Sequence, residues 1–238
     1  MSEKPFPHPS VFLGEKRLER IKGYRVHESR TPEKPLRVLT PSQTIGPFFA
    51  LGLVGSSEDD LACREPGGAR AQGTPIVVSG RVTDEAGKPV RKALIEVWQA
   101  NRWGKYEHPD DTTDAPLDPA FKGWGRMLTD SEGRYRFRSI KPGAYPNPGY
   151  DDWMRPPHIH YSIFAAGLMQ RLITQLYFPD EALNDIDPIL NGIENLDARA
   201  SLVARRLRAD QAGEQGVEAY GFDIVLSGAA QTALFVDG

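Results

Sequence analysis

Tyr145-Pro146-Asn147-Pro148-Gly149-Tyr150-Asp151-Asp152-Trp153-Met154-Arg155-Pro156-Pro157-His158-Ile159-His160 is the stretch around which the rest of the chain is read. It ends in two imidazoles separated by one apolar residue. Pro156 and Pro157 rule out a helix there and hold the residues before them extended. In an extended chain side chains alternate, so His158 and His160 point to the same face. An H-x-H pair on a strand can grip one metal ion from one direction. Two core or surface histidines are the plain alternative.

Outward from this stretch the pattern is that of strands. Residues 76–82 and 93–98 flank the turn Thr83-Asp84-Glu85-Ala86-Gly87 and are expected to form a hairpin. Residues 126–128 and 135–140 flank Thr129-Asp130-Ser131-Glu132-Gly133 and suggest a second one. Residues 158–164 and 172–178 are expected core strands, and residues 220–226 and 232–236 close the chain. Over residues 193–209 Leu196, Ala200, Val203 and Leu207 recur at i, i+4, i+7 and i+11, the spacing of one face of a short helix. Residues 53–74 and 99–125 are expected loops, and the second carries Tyr106 and His108. The fold class expected is all-β: a sandwich of mainly antiparallel strands with long loops at the site and one short helix in the C-terminal half. Residues 1–40, rich in charge and proline, are expected as an N-terminal arm, and residues 41–238 as a single domain.

The chain has 238 residues, 39% of them hydrophobic, enough for one sizeable core. Its 20 prolines and 23 glycines suit a turn-rich β fold. A net charge of -3 with no long basic run gives no support to nucleic-acid binding. No apolar run approaches the roughly 20 residues of a membrane span, and the N-terminus lacks a signal-peptide core. Cys63 is the single cysteine. It excludes an internal disulfide and a multi-thiolate metal site, and with the missing leader it suggests the cytoplasm.

A metal held by two histidines needs further ligands. Cys63 is remote, and no carboxylate stands at the usual tight spacing from the H-x-H pair. Tyr145, after a glycine-containing turn, and Tyr106, in the long loop, are the candidates. A phenolate is a hard anionic donor that suits Fe(III). Two tyrosinates and a hydroxide would balance the charge of Fe(III), which a buried site tolerates. Such a centre suits a dianionic catecholate.

The runs P-G-x-Y-P and W-x-R-P-x-H-I-H, followed by L-I-T-Q-L-Y-F, resemble the intradiol ring-cleaving dioxygenases. V-W-Q-A-N, G-K-Y-x-H, T-D-S-x-G-x-Y-x-F-R and Y-x-F-D-I-V-L are also similar to that family, from about Tyr24 to the C-terminus. The resemblance implies mononuclear non-haem Fe(III), with Tyr145 and His160 as axial ligands and Tyr106 and His158 equatorial. Arg155 would stabilise negative charge developing on the ring. Tyr24, Trp98 and Gln175 would border the substrate. The implied reaction opens 3,4-dihydroxybenzoate between its hydroxylated carbons with O2, in aromatic catabolism. The implied partner is an unlike α chain in an (αβ)n assembly. Where the family often has Tyr-Pro-Trp, this chain has Tyr145-Pro146-Asn147, which bears on the pocket wall. The alternatives are cleavage of another catechol, a non-catalytic β-sandwich module, and a zinc hydrolase built on the H-x-H pair.

Overall fold

A computed structural model describes residues 43–46, 49–53, 58–147, 153–213 and 215–235. The expected arm, with Tyr24, lies outside the described residues. The strands are β1 (Pro75–Thr83), β2 (Leu94–Trp98), β3 (Trp124–Leu128), β4 (Arg134–Ile140), β5 (Tyr145–Pro146), β6 (Met154–Arg155), β7 (His158–Phe164), β8 (Leu172–Tyr177), β9 (Arg205–Arg206), β10 (Glu218–Gly221) and β11 (Ile224–Val225). Two short helices, α1 (Pro188–Asn191) and α2 (Leu196–Ala200), lie between β8 and β9.

Apart from β5 and β6, which pair with each other as a separate two-stranded ribbon, the strands form two packed sheets, so the all-β sandwich expectation is met. One sheet has β1 at its centre, antiparallel to β4 on one side and parallel to β10 and β11 on the other, with β9 beyond β10. The second runs β3-β2-β7-β8 and is antiparallel throughout. Alternation decides which side chains meet between the sheets. Ile95 and Val97 of β2, Met127 of β3, Ile159, Tyr161 and Ile163 of β7 and Leu176 of β8 face Ile76, Val78, Phe137, Tyr220 and Ile224 from the other sheet. The opposite face of the second sheet therefore carries Trp98, His160 and Gln175 in one cross-strand row, and His158 and Tyr177 in the next.

Both expected hairpins are instead connections between sheets. β1 pairs with β4, and β2 with β3 and β7. The turns form as read: Asp84 accepts from the Ala86 and Lys88 amides, and Asp130 from those of Glu132 and Arg134. The chain then crosses the core, because each strand buries its apolar face against the opposite sheet rather than beside its sequence neighbour. The 193–209 helix is also shorter than its spacing predicts. Asn195 caps α2 by accepting from the Asp197 and Ala198 amides. After Ala200 the backbone pairs with the end of β8, the Tyr177 amide donating to Leu202 O at 2.8 Å and the Ala204 amide to Tyr177 O at 2.9 Å. Leu196 is left 70% exposed, so the periodic face is not a buried one. Of the last expected strand, the described residues 232–235 show a bridge between Ile173 and Phe235. The loop of residues 58–74 sends Leu61 and Ala62 into the core.

Candidate metal centre and substrate site

Four sequence candidates meet on the outer face of the second sheet. His158 and His160, two apart on β7, bring their Nε2 atoms to 3.1 Å of each other. Tyr145 Oη lies 3.2 Å from His158 Nε2. The Tyr106 ring meets the Tyr145 ring edge-on at 5.2 Å between centroids, and the His160 ring at 6.3 Å. Pro156 O can only accept, so its 2.7 Å contact fixes His158 with the proton on Nδ1 and a free lone pair on Nε2.

Each tyrosine reaches the site through backbone packing. The 99–123 loop folds back at residues 101–105, where the buried Asn101 side chain accepts from the Trp103 and Lys105 amides. Gly143 N donates to Asn101 O at 2.8 Å, joining the loop to the segment that leads into β5. The following turn is pinned by Asp111. Its carboxylate accepts from the Tyr106 amide at 2.7 Å, from Lys105 Nζ at 3.0 Å and from Thr113. Desolvation works against the charged Asp111, but the hydrogen bonds from Thr113, Tyr106 and Lys105 prevail and hold its pKa at about 2, below the ordinary 3.8. A carboxyl depressed in this way stabilises the fold above its unfolded pKa, and that stability is lost as the pH falls from about 4 toward 2. Asp111→Asn is therefore expected to cost about 2 kcal/mol at neutral pH and to flatten the acid limb of an unfolding-against-pH curve. A variant with the wild-type acid limb would remove Asp111 from this role.

Burial sets the ionisation of the cluster. Desolvation, then the nearby Arg155 charge, pushes His158 well below the ordinary imidazole range and His160 to about 4. Both rings are neutral at pH 7, the form that donates to a metal. Desolvation pushes the phenols of Tyr106 and Tyr145 up, with Arg155 pulling Tyr145 partly back. Tyr106 Oη is buried with no hydrogen-bond partner among the described residues. Among those residues no group of three or more His, Cys, Asp or Glu side chains converges. A site built from two imidazoles and two phenols thus fits a hard, highly charged cation. The 3.1 Å spacing of the nitrogens also suits two metal–nitrogen bonds of about 2.1 Å meeting near a right angle.

Arg155, on β6 directly across from Tyr145, is 4% exposed. Its Nη2 donates to Tyr177 Oη at 2.9 Å and to Gln175 Oε1 at 3.1 Å, and its Nε lies 3.5 Å from Asp187 Oδ1. The Gln175 amide nitrogen in turn lies 3.4 Å from His160 Nδ1. Trp98 stands at the rim, its ring 4.5 Å from that of Tyr106 and 5.8 Å from that of His160. A groove of about 420 Å³ opens beside it, lined in part by Trp124, Ser162 and Arg171. A larger groove of about 690 Å³ lies away from the histidines, among charges such as Arg205 and Asp223 that pair with one another. His108 lies in the expected loop, its side chain half exposed beside Asp110. Cys63 donates to Glu65 O at 2.8 Å and lies in the 58–74 loop. Asn101, Asp111, Tyr177 and Asp187 escaped the sequence reading. Asp187 alone left a local trace, an Asp-Pro pair of the kind that starts a helix.

The family model described as Dioxygenase matches residues 45–228. The chain is 44% identical over 213 residues to the protocatechuate 3,4-dioxygenase beta chain of Burkholderia cepacia, covering 89% of this chain and 90% of that one. The chain belongs to the intradiol ring-cleaving dioxygenases. This dioxygenase is also 35% identical over 210 residues to the protocatechuate 3,4-dioxygenase alpha chain of Pseudomonas putida, covering 84% of this chain and 98% of that one. Among solved structures it is similar to the dioxygenase domain of a carbohydrate-binding fusion protein from Streptomyces sp. SirexAA-E, at 29% identity and a TM-score of 0.52 over 80% of this chain and 99% of that one. Catechol 1,2-dioxygenase from Acinetobacter sp. ADP1, at 23% identity and a TM-score of 0.56 over 94% of this chain and 72% of that one, shares the fold. Membership of an enzyme family sets aside the non-catalytic module. No helix among the described residues is long and apolar enough to cross a membrane.

Proposed function

We propose that this dioxygenase cleaves protocatechuate (3,4-dihydroxybenzoate) between its two hydroxylated carbons. Both atoms of O2 enter the product, 3-carboxy-cis,cis-muconate, in the β-ketoadipate route of aromatic catabolism. The observation that carries the reading is the convergence on His158 Nε2 of His160 Nε2 at 3.1 Å and Tyr145 Oη at 3.2 Å, with Tyr106 packed against Tyr145. The substrate is inferred from the similarity to the Burkholderia cepacia beta chain. By the same reasoning this chain is the iron-bearing β subunit and its partner is a separate α chain in an (αβ)n assembly; the single cysteine suits a cytoplasmic compartment.

Tyr106, Tyr145, His158 and His160 would hold Fe(III), which would supply Lewis acidity and a positive charge that favours the ionised forms of the phenols and of a bound catechol. The chain's own groups do the rest. Tyr145 Oη, as a phenolate, would take one of the two catechol protons. The Arg155 guanidinium is fixed and desolvated, so it stabilises negative charge as it spreads over the ring. Gln175 holds Arg155 from one side and faces His160 on the other. Trp98 walls the rim and shields the ring from water. Tyr24 is proposed to reach the substrate from the arm.

The test is the visible spectrum of the protein co-expressed with an α chain, before and after anaerobic protocatechuate. A tyrosinate-to-iron band that shifts on addition is the expected result. A colourless protein after iron reconstitution would sink the reading. Catechol and hydroxyquinol, assayed beside protocatechuate, decide the substrate. Tyr106→Phe removes one anionic oxygen donor, and the variant is expected to lose about tenfold or more in metal affinity and part of the band. Unchanged metal content and colour would exclude Tyr106 as a ligand.

A further inference from the structure

Asp187 is fully buried, with 0% of its surface exposed, in the segment that enters α1. Its Oδ1 accepts from the Ile189 amide at 3.2 Å and lies 3.5 Å from Arg155 Nε. Its Oδ2 has no hydrogen-bond partner among the described residues. A buried carboxylate without full hydrogen bonding is costly unless an opposite charge holds it, and the same is true of the buried guanidinium facing it.

The need for such a charge follows from where Arg155 sits. It shares with Tyr145 a ribbon of two paired positions, Tyr145 with Arg155 and Pro146 with Met154. A two-stranded ribbon of that length has no stability of its own. Besides the contact of Tyr145 with His158, the acceptors around Arg155 tie it to the second sheet. Gln175 and Tyr177 are neutral acceptors on β8, and Asp187 faces the guanidinium as an anion. Asp187 is itself anchored, because α1 is seated by Leu190 in a cluster with Tyr177 and Leu202. The Tyr177 ring stacks on that of His158 at 5.7 Å and 26°. The helical segment, the end of β8 and the ribbon therefore meet at one ion pair behind the site.

We infer that Asp187 is the positioning residue for Arg155: its carboxylate supplies the counter-charge that keeps the guanidinium aimed into the site and holds the β5–β6 ribbon in register with β7 and β8. Asp187 touches neither substrate nor metal and acts through Arg155. The kinetic part of this inference rests on the proposed dioxygenase function; the ion pair itself does not.

Asp187→Asn separates the two uses of the side chain. Asparagine still offers an oxygen to the Ile189 amide, so the cap on α1 survives and the charge is lost. In the protein co-expressed with an α chain, D187N is expected to keep its iron and its visible band. Its kcat is expected to fall by about tenfold or more, with KM changed by less than about threefold. The R155Q/D187N double variant, which removes both charges, is expected to be no slower than R155Q alone, because the two residues act as one unit. The metal-free protein provides a second readout by urea unfolding. There D187N is expected to destabilise the wild type more than it destabilises R155Q. A kcat within twofold of wild type, a D187N effect that multiplies onto R155Q, or equal destabilisation in both backgrounds would each overturn the inference. If the wild type shows no turnover, the proposed function fails, and the unfolding cycle still decides the ion pair.

Discussion

Arg155→Ala is expected to lose about 10²–10³-fold in kcat while keeping its iron and its tyrosinate band. The magnitude is that of removing one fixed donor aimed at charge that develops in the transition state. None of the four proposed ligands is touched, so the ferric chromophore should survive. The replacement also leaves Asp187 buried without its partner, which costs roughly 3–5 kcal/mol of stability. That is a large share of the roughly 5–15 kcal/mol typical of a domain, so the variant is expected to fold with a lowered melting temperature. Arg155→Lys helps to separate the effects. Lysine keeps a positive charge near Asp187 but lacks the planar fork whose Nη2 reaches Gln175 and Tyr177 while its Nε faces Asp187. Its stability should lie near wild type and its kcat between the two. Steady-state kinetics beside thermal unfolding and visible spectra give all three readouts. An Arg155→Ala protein that turned over within threefold of wild type would remove Arg155 from the chemistry.

How much of this was legible in the sequence depends on the range of the signal. Alternation along β7 with two prolines before it put His158 and His160 on one face, and the structure shows them so. The apolar runs of β1, β2, β4 and β8 lie within a residue or two of where they were read. Their pairing was not legible. Asp84 with Gly87, and Asp130 with Gly133, specify that the chain turns; they carry no information about whether the next strand joins the same sheet or the facing one. The spacing of Leu196, Ala200, Val203 and Leu207 was likewise real but local, and backbone pairing with Tyr177 overrode it after five residues. The residues that tune the site were the least legible. Asp187 meets Arg155 from another element, and its Asp-Pro pair says only that a helix starts there; Asp111 acts on a backbone amide and leaves no motif. Tyr106 and Tyr145 entered as candidates because two histidines do not complete a metal site; it was the family resemblance that fixed them as a set.

Gly104→Ala is expected to dismantle the site and leave the sandwich standing. Gly104 has φ 77°, and a Cβ there would stand 2.1 Å from Ala144 O, 2.9 Å from Ala144 C and 3.0 Å from Tyr145 Cβ. The left-handed backbone alone costs an alanine about 1–2 kcal/mol. The contact with Ala144 is the larger effect, because a backbone carbonyl cannot swing aside as a side-chain tip can. Relief requires the 101–105 loop and the 143–145 segment to part, which moves Tyr106 from Tyr145. Displacing a reacting group by about 1 Å is enough to lose about 10²-fold in rate. Metal affinity should fall with it, since both phenols change place at once. The core between the sheets is untouched, so far-ultraviolet circular dichroism should be that of the wild type. Gly87 supplies the control. Its φ of 74° is nearly the same, but a Cβ there meets nothing within 4 Å. Gly87→Ala therefore carries the backbone strain without the collision and should keep metal and turnover. If Gly104→Ala bound iron with the wild-type band and rate, the close approach of the two segments would not be what places the tyrosines. If both glycine variants lost the metal equally, strain in the turns rather than the Ala144 contact would be the cause.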